Sequence, residues 1–371
     1  MQLSKKVQEN RISEKEYRNL LVMSYSMYKA YDNSREDFYR EYIIRDKKKD
    51  KTSNAIVLGS LVHCLLANLG DFDDKFHINS AKIPKPQMLK LCENLFIRYV
   101  QSLNEFDEQQ DNFNIIFTDA VQRTKYNFNQ EEVEFKGKDE KKILELFEGS
   151  DAELYFKELI ENRTKTVITI PQVEQAERLV QKVREDEITA WYVNVKTIAI
   201  DEVRDIKGIE VFSELPIEFE INGVKQKCMP DKLIVDHINQ VVKKVDWKCS
   251  WDNESPENQY LKYGYYLQAA LYEDGVGEWM KQHGIGHYKQ EEMIFIFIDT
   301  QGFNRPVDFR ISQDDLNRAK RGFSIRGKKY KGLSTLQKEI EFHVNTGIWN
   351  TSLELHESKG ILKAKIPYGS R

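Results

Sequence analysis

The spacing of apolar residues changes once along the chain. Through roughly the first 200 positions it is helical. In SNAIVLGSLVHCLLANLG, Ala55, Leu58, Val62, Leu65 and Leu69 recur at intervals of three and four and form one stripe. Ser53 or Asn54 can cap its start, and Gly70 can stop it. KPQMLKLCENLFIRYVQSL and PQVEQAERLVQKVREDE are amphipathic in the same way. Ser13 followed by Glu16 predicts a capping box ahead of YRNLLVMSYSMYKAY. From SELPIEFEINGVKQKCMPDKLIVDHINQVVKKVDWKCS onward the period drops to two. Asn222-Gly223 predicts a tight hairpin and HINQ a second turn. The result is a three-stranded antiparallel meander at about 214–221, 224–235 and 241–249. A helix follows, with Ser255 as cap and Pro256 in its first position, running through ENQYLKYGYYLQAALYED to Gly275. EMIFIFIDT reads as a strand buried on both faces, with VDFRI beside it. Ser312 caps a helix over QDDLNRAKRGF, and STLQKEIEFHVNTG is helical again.

The pattern predicts an α/β (α+β) fold: a central mixed sheet containing the meander, flanked by helices. A mostly helical part is expected over 1–200, the core over 201–311 and C-terminal helices over 312–371. No repeat and no Gly/Ser- or Pro-rich linker marks a boundary, so a single domain over 1–371 is expected.

Composition narrows this picture. The 371 residues are 40% apolar and 31% charged, a globular balance with ample core. No apolar run approaches the roughly 18 residues that cross a bilayer. The segment MQLSKKVQENRISEKEY lacks the apolar centre of a signal peptide, so a cytoplasmic protein is expected. The four cysteines, Cys64, Cys92, Cys228 and Cys249, form no C-x-x-C pair and are expected to be reduced thiols. A net charge of -4 gives no global attraction to nucleic acid, so any such binding must use local patches. The runs RDKKKDK and EEVEFKGKDEKK are expected to be solvated.

One strand does not fit a simple core. In VVKKVDWKC, Val241, Val245 and Trp247 point to one side, and Asp246 and Lys248 to the other. Pairing across HINQ can place Asp231 beside Asp246. Two carboxylates so close repel unless a cation lies between them, and oxygen ligands suit Mg²⁺ or Mn²⁺. Lys248, two residues on, could orient or deprotonate a water and stabilise phosphate charge. A plain salt-bridged strand edge is the alternative. Three flanking features bear on the choice. His63 lies beside the apolar stripe, one turn after Gly59. Tyr265, Gln268 and Tyr272 share a face of the helix after DWK. Glu214 opens the meander.

The ordered set is G-S-x-x-H, then Glu214, then Pro230-Asp231, Asp246-x-Lys248 and Gln268-x-x-x-Tyr272. It resembles the PD-(D/E)XK nucleases of the RecB-like branch, and within them the RecE or exonuclease VIII type of phage recombination exonucleases. The resemblance covers roughly Ser13 to Ile311 and implies a restriction-endonuclease-like core. Asp231 and Asp246 would be metal ligands, the Trp247 carbonyl a third oxygen and His63 a further ligand or near-metal group. Lys248 would be the catalytic lysine, with Gln268 and Tyr272 supporting it and touching the DNA backbone, as Tyr265 would. Glu214 would be a second-metal or outlying carboxylate. The implied reaction is Mg²⁺- or Mn²⁺-dependent 5′-to-3′ digestion of linear double-stranded DNA. It would leave 3′ strands for a single-strand annealing protein, in a bacterial or phage-infected cell, from a ring-shaped homo-oligomer. The cysteine spacing offers no iron–sulfur site, and no P-loop marks a fused helicase. A structure-specific or restriction-type endonuclease, or an inactive DNA-binding module, remains open. KRGFSIRGKKYKG supplies a local basic patch for DNA through Lys320, Arg321, Arg326, Lys328 and Lys329; a solvated loop is the alternative.

Overall fold

The structure is a computed structural model. It describes residues 3–9, 11–46, 53–67, 69–105, 112–127, 135, 137–201 and 206–361. The charged run RDKKKDK falls largely outside these residues, and EEVEFKGKDEKK in part. The chain forms two compact units, Asn54–Glu177 and a unit joining Met1–Ser53 to Arg178–Arg371. No compositional break announces either junction. In the first unit, helices Pro86–Glu105, Asn112–Asn127, Glu140–Phe147 and Asp151–Glu161 enclose a core that includes Leu91, Leu95, Phe117, Ile143 and Phe156. Two short strands there, β1 (Phe76–Ile78) and β2 (Thr166–Ile168), pair in parallel.

The second unit holds the main sheet. Its strands are β3 (Ile198–Asp201), β4 (Ile206–Ser213), β7 (Lys232–Asp236), β8 (Val241–Ser250), β9 (Lys289–Asp299) and β10 (Val307–Ile311), once the hairpin β5 (Ile217–Ile221) and β6 (Val224–Cys228) is set apart. The order is β10-β9-β8-β7-β4-β3, with β8 and β9 parallel and the other described pairs antiparallel. This is the mixed sheet flanked by helices that the periodicity predicts. β9 is buried from Met293 to Asp299, as its unbroken apolar run requires.

The predicted meander needs two corrections. The strand expected over 224–235 is two strands. Pro230 has no N–H for a ladder, so the chain leaves the β5–β6 hairpin at Met229 and enters the main sheet at Lys232. Glu214, expected to open the first strand, instead lies in the turn between β4 and β5 with a left-handed φ of 43°. The antiparallel neighbour of β7 on the side away from β8 is therefore β4, whose signal the charged sequence before Ser213 obscured.

The helix expected from Pro256 to Gly275 also differs. It breaks at Gly264, which adopts φ 70°, into Pro256–Lys262 and Tyr265–Gln282. The second helix runs straight through Gly275. A Cβ there would meet Cys228 Sγ at 2.5 Å and a Phe219 ring carbon at 2.7 Å. Gly275 is thus a packing residue, seating the β5–β6 hairpin on the helix, and not a stop. Gly275→Ala is expected to destabilise the fold by about 1–3 kcal/mol through overpacking. Chemical denaturation tests this, and an unchanged midpoint would contradict the packing role.

At the N-terminus the Ser13–Glu16 capping box forms as predicted. The helix beyond it is interrupted, because Met23 bridges to Gln226 of β6 before the next helix, Tyr25–Asn33. Ser312 caps Gln313–Arg321 as predicted. The basic segment after it is not a simple loop between helices. It is a hairpin, β11 (Gly322–Ile325) and β12 (Lys328–Lys331). Its turn residues, Arg326 and Gly327, both take left-handed φ values.

Candidate functional site

The site grows from one corner. The chain turns at Met229-Pro230-Asp231, just before β7, and β7 pairs with β8 so that Lys232 faces Val245. Asp231 thereby arrives beside Asp246, and its Oδ2 accepts the Trp247 backbone N–H at 2.7 Å. The backbone of Asp231 also holds the neighbouring turn, since its carbonyl accepts the Glu214 N–H at 3.0 Å. The Tyr272 hydroxyl donates to the Met229 carbonyl at 2.9 Å, bracing the corner from the helix.

Lys244, Asp246 and Lys248 alternate onto one face of β8. The Tyr265–Gln282 helix runs along that face in the opposite direction. Each polar residue of the strand meets a residue of the helix. The Lys244 ammonium donates to Glu273 Oε2 at 2.6 Å, and Gln268 Nε2 donates to Asp246 Oδ2 at 2.8 Å. The Lys248 ammonium lies 4.6 Å from the centre of the Tyr265 ring. Gln268 Nε2 also donates to the Tyr272 hydroxyl at 2.9 Å, which joins the braced corner to Asp246. Lys248 Nζ is ion-paired to Asp246 Oδ1. On the opposite face Trp247 is 1% exposed and anchors the strand.

Burial decides the charge states. Asp246 is 2% exposed. Burial pulls the Lys248 ammonium down, but Asp246, Tyr265 and Asp231 outweigh it and leave its pKa above the ordinary lysine value. Burial, then the charges of Asp246 and Asp231, raise the Tyr272 phenol well above its usual range. It therefore stays a neutral donor.

The donor chemistry fits a hard divalent cation. Carboxylates from the approach to β7 and from the middle of β8 meet, in a setting where like charges repel without a cation between them. Gln268 Oε1 is buried with no hydrogen-bond partner among the described residues, so a further oxygen there has acceptor capacity to spare.

The structure thus brings together Asp231, Asp246, Trp247, Lys248, Tyr265, Gln268 and Tyr272. Glu214 joins them through its backbone at Asp231. His63 lies half-buried on the Asn54–Ala67 helix of the other unit. In the basic segment Arg321, Arg326, Lys328 and Lys329 are exposed, while Lys320 is half-buried and bonded to Asp274 at 2.5 Å. The hairpin is seated on the same helix, with Tyr266 packing edge-on against Phe323 and Tyr330.

Two contributors escaped the sequence reading. From the Tyr25–Asn33 helix, the Tyr25 hydroxyl donates to the Tyr263 carbonyl at 2.6 Å, and Lys29 Nζ lies 5.1 Å from the Tyr263 ring centre. Lys29 is half-buried, and burial together with the charge of Lys248 lowers its pKa. It is a second cation beside the site. The spacing of Tyr25 and Lys29, one helical turn, is the only local hint. The other omission is the Lys244–Glu273 pair.

No family model matches this sequence, and no curated protein matches it. Among solved structures, the chain is similar to a "putative exonuclease" from Eubacterium rectale, at 14% identity over 96% of each chain, with a TM-score of 0.43. Similarity at that level leaves the chemistry to be argued from this chain's own residues.

Proposed function

We propose that the protein is a metal-dependent deoxyribonuclease that degrades linear double-stranded DNA from its ends. The observation that carries this reading is the meeting of Asp231 and Asp246 across β7 and β8, with Lys248 paired to Asp246 and Gln268 clamped on the other carboxylate oxygen. Asp231 and Asp246 would hold Mg²⁺ or Mn²⁺, with the Trp247 carbonyl as a further oxygen; Glu214 and His63 are held as outlying candidates. When bound, the ion would supply Lewis-acid polarisation of the phosphoryl group and a more acidic water.

The remaining work falls to the chain. Lys248 neutralises the charge that builds on the phosphate and orients the attacking water. The Tyr265 ring keeps its ammonium in place, and Gln268 fixes the rotamer of Asp246. Tyr272 holds the corner that aims Asp231. Lys29 adds positive charge where a phosphate would enter. Arg321, Arg326, Lys328 and Lys329 attract the duplex backbone, so neutralising them should flatten the salt dependence of binding. Digestion from the 5′ end, a ring-shaped homo-oligomer and a single-strand annealing partner belong to the same proposal.

The test is a digest of end-labelled linear duplex and of covalently closed circles with Mg²⁺, with Mn²⁺ and with EDTA. Loss of mononucleotides from linear DNA alone, abolished by EDTA, is expected. Cleavage of closed circles would point to an endonuclease, and no cleavage of any DNA to an inactive binding module.

A further inference from the structure

The parallel strands β8 and β9 end at the same edge of the sheet, just beyond Lys248. Ser250 faces Asp299 in the register, and the Thr300 N–H donates to the Ser250 carbonyl at 2.9 Å. Each strand runs into a loop with an exposed aromatic ring. Trp251 is 65% exposed, and Phe303 at 87% is the most exposed large hydrophobic among the described residues.

An isolated apolar side chain on a surface is ordinary. This loop is not ordinary, because it is fastened on every side. The carboxylate of Asp299, itself 3% exposed, accepts N–H groups from Gln301, Phe303 and Asn304 at 2.8, 3.0 and 2.8 Å. Lys182 donates to the carbonyls of Gly302 and Phe303, both at 2.8 Å. The Arg305 side chain is bonded to Asp186 at 2.9 Å, and its carbonyl accepts from Asn253 at 2.6 Å. That last bond ties the Phe303 loop to the Trp251 loop. Rigid backbone thus presents apolar rings to water, where burial would have been favoured. Trp251 follows Lys248 by three residues and lies one past the end of β8 at Ser250.

We propose that Phe303 and Trp251 form a stacking platform for the bases at the DNA end being degraded. This rests on the nuclease reading above. Flat rings stack on any base, so such a platform grips DNA without sequence preference, as an end-degrading enzyme requires. The pre-set loop means little freedom is lost on binding.

The test uses the full-length protein and a short duplex with 2-aminopurine in a three-nucleotide terminal overhang. Ca²⁺ replaces Mg²⁺ for binding, and Mg²⁺ is used in parallel for cleavage. Wild type is expected to quench the probe. Phe303→Ala and Trp251→Ala should bind about tenfold more weakly with the quench reduced, and Phe303→Tyr should restore both. Thermal midpoints check folding, which exposed rings should not disturb. Wild-type affinity and quench in both alanine variants would overturn the platform, even if the wild type cleaves DNA. Loss of quench in the variants with no cleavage by the wild type would keep the platform and overturn the nuclease reading. Wild type that neither binds nor cleaves DNA would overturn both.

Discussion

Lys248→Ala should lower single-turnover cleavage of a linear duplex by roughly 10²–10³-fold or more, while DNA affinity measured with Ca²⁺ stays within a few-fold of wild type. On the proposed reading, Lys248 acts on the reacting phosphate and not on the body of the duplex. Its ammonium contacts Asp246 and the faces of Tyr265 and Phe295, inside the sheet–helix layer. Removing it also takes a cation from two nearby carboxylates, so a folded variant must be confirmed by its thermal midpoint. Asp246→Asn should lose cleavage as well, and Mg²⁺ should then protect the protein less against heat, because a bound ion stabilises only the state that binds it. A Lys248→Ala enzyme that cleaves at near the wild-type rate would reduce the site to a strand-edge salt bridge.

The second large effect concerns stability. Lys244 is fully buried on the same face of β8, yet its ammonium is satisfied by Glu273 at 2.6 Å, Gln290 Oε1 at 3.0 Å and the Glu291 carbonyl at 2.8 Å. Lys244→Met should cost about 3–5 kcal/mol of unfolding free energy, because it strands the buried Glu273 carboxylate. Lys244→Met with Glu273→Leu should recover most of that loss, since a well-packed apolar pair can replace a buried ion pair at little cost. Urea unfolding of the three proteins settles the matter. A single variant costing under about 1 kcal/mol, or a double variant no better than the single, would show that the pair is not a unit. The double variant should still cleave DNA if the Lys244 pair holds the strand and helix together without touching the chemistry.

These two lysines show how differently the chain disclosed its features. Period-two alternation put Asp246 and Lys248 on a common face, and the turn at HINQ put Asp231 next to Asp246; both follow from local geometry, and both appear in the structure. The same alternation puts Lys244 on that face too, but nothing in the strand distinguishes a lysine destined for a buried glutamate from one that turns to solvent. The difference lies in Glu273, 29 residues on along a helix that must first dock. Gly275 is similar. Its sequence context reads as a helix stop, and only the hairpin packed against it reveals that the missing side chain makes room for Cys228 and Phe219.

By itself, then, the sequence determined what depends on neighbours a few positions apart: the change from helical to strand period, the capping at Ser13 and Ser312, the buried β9, and the polar face of β8 with the acid and base groups it would bring together. The tertiary structure alone decided what depends on distant segments sharing space. It paired β7 with β4 across the intervening β5–β6 hairpin. It brought Lys29 of an N-terminal helix to the rim of the site, and it laid the Tyr265–Gln282 helix along β8 so that Gln268 meets Asp246 and Tyr265 meets Lys248. Hydrophobic periodicity is written into short stretches of chain, whereas the partner of a buried charge is fixed only when the chain closes on itself and the charge must be satisfied away from water.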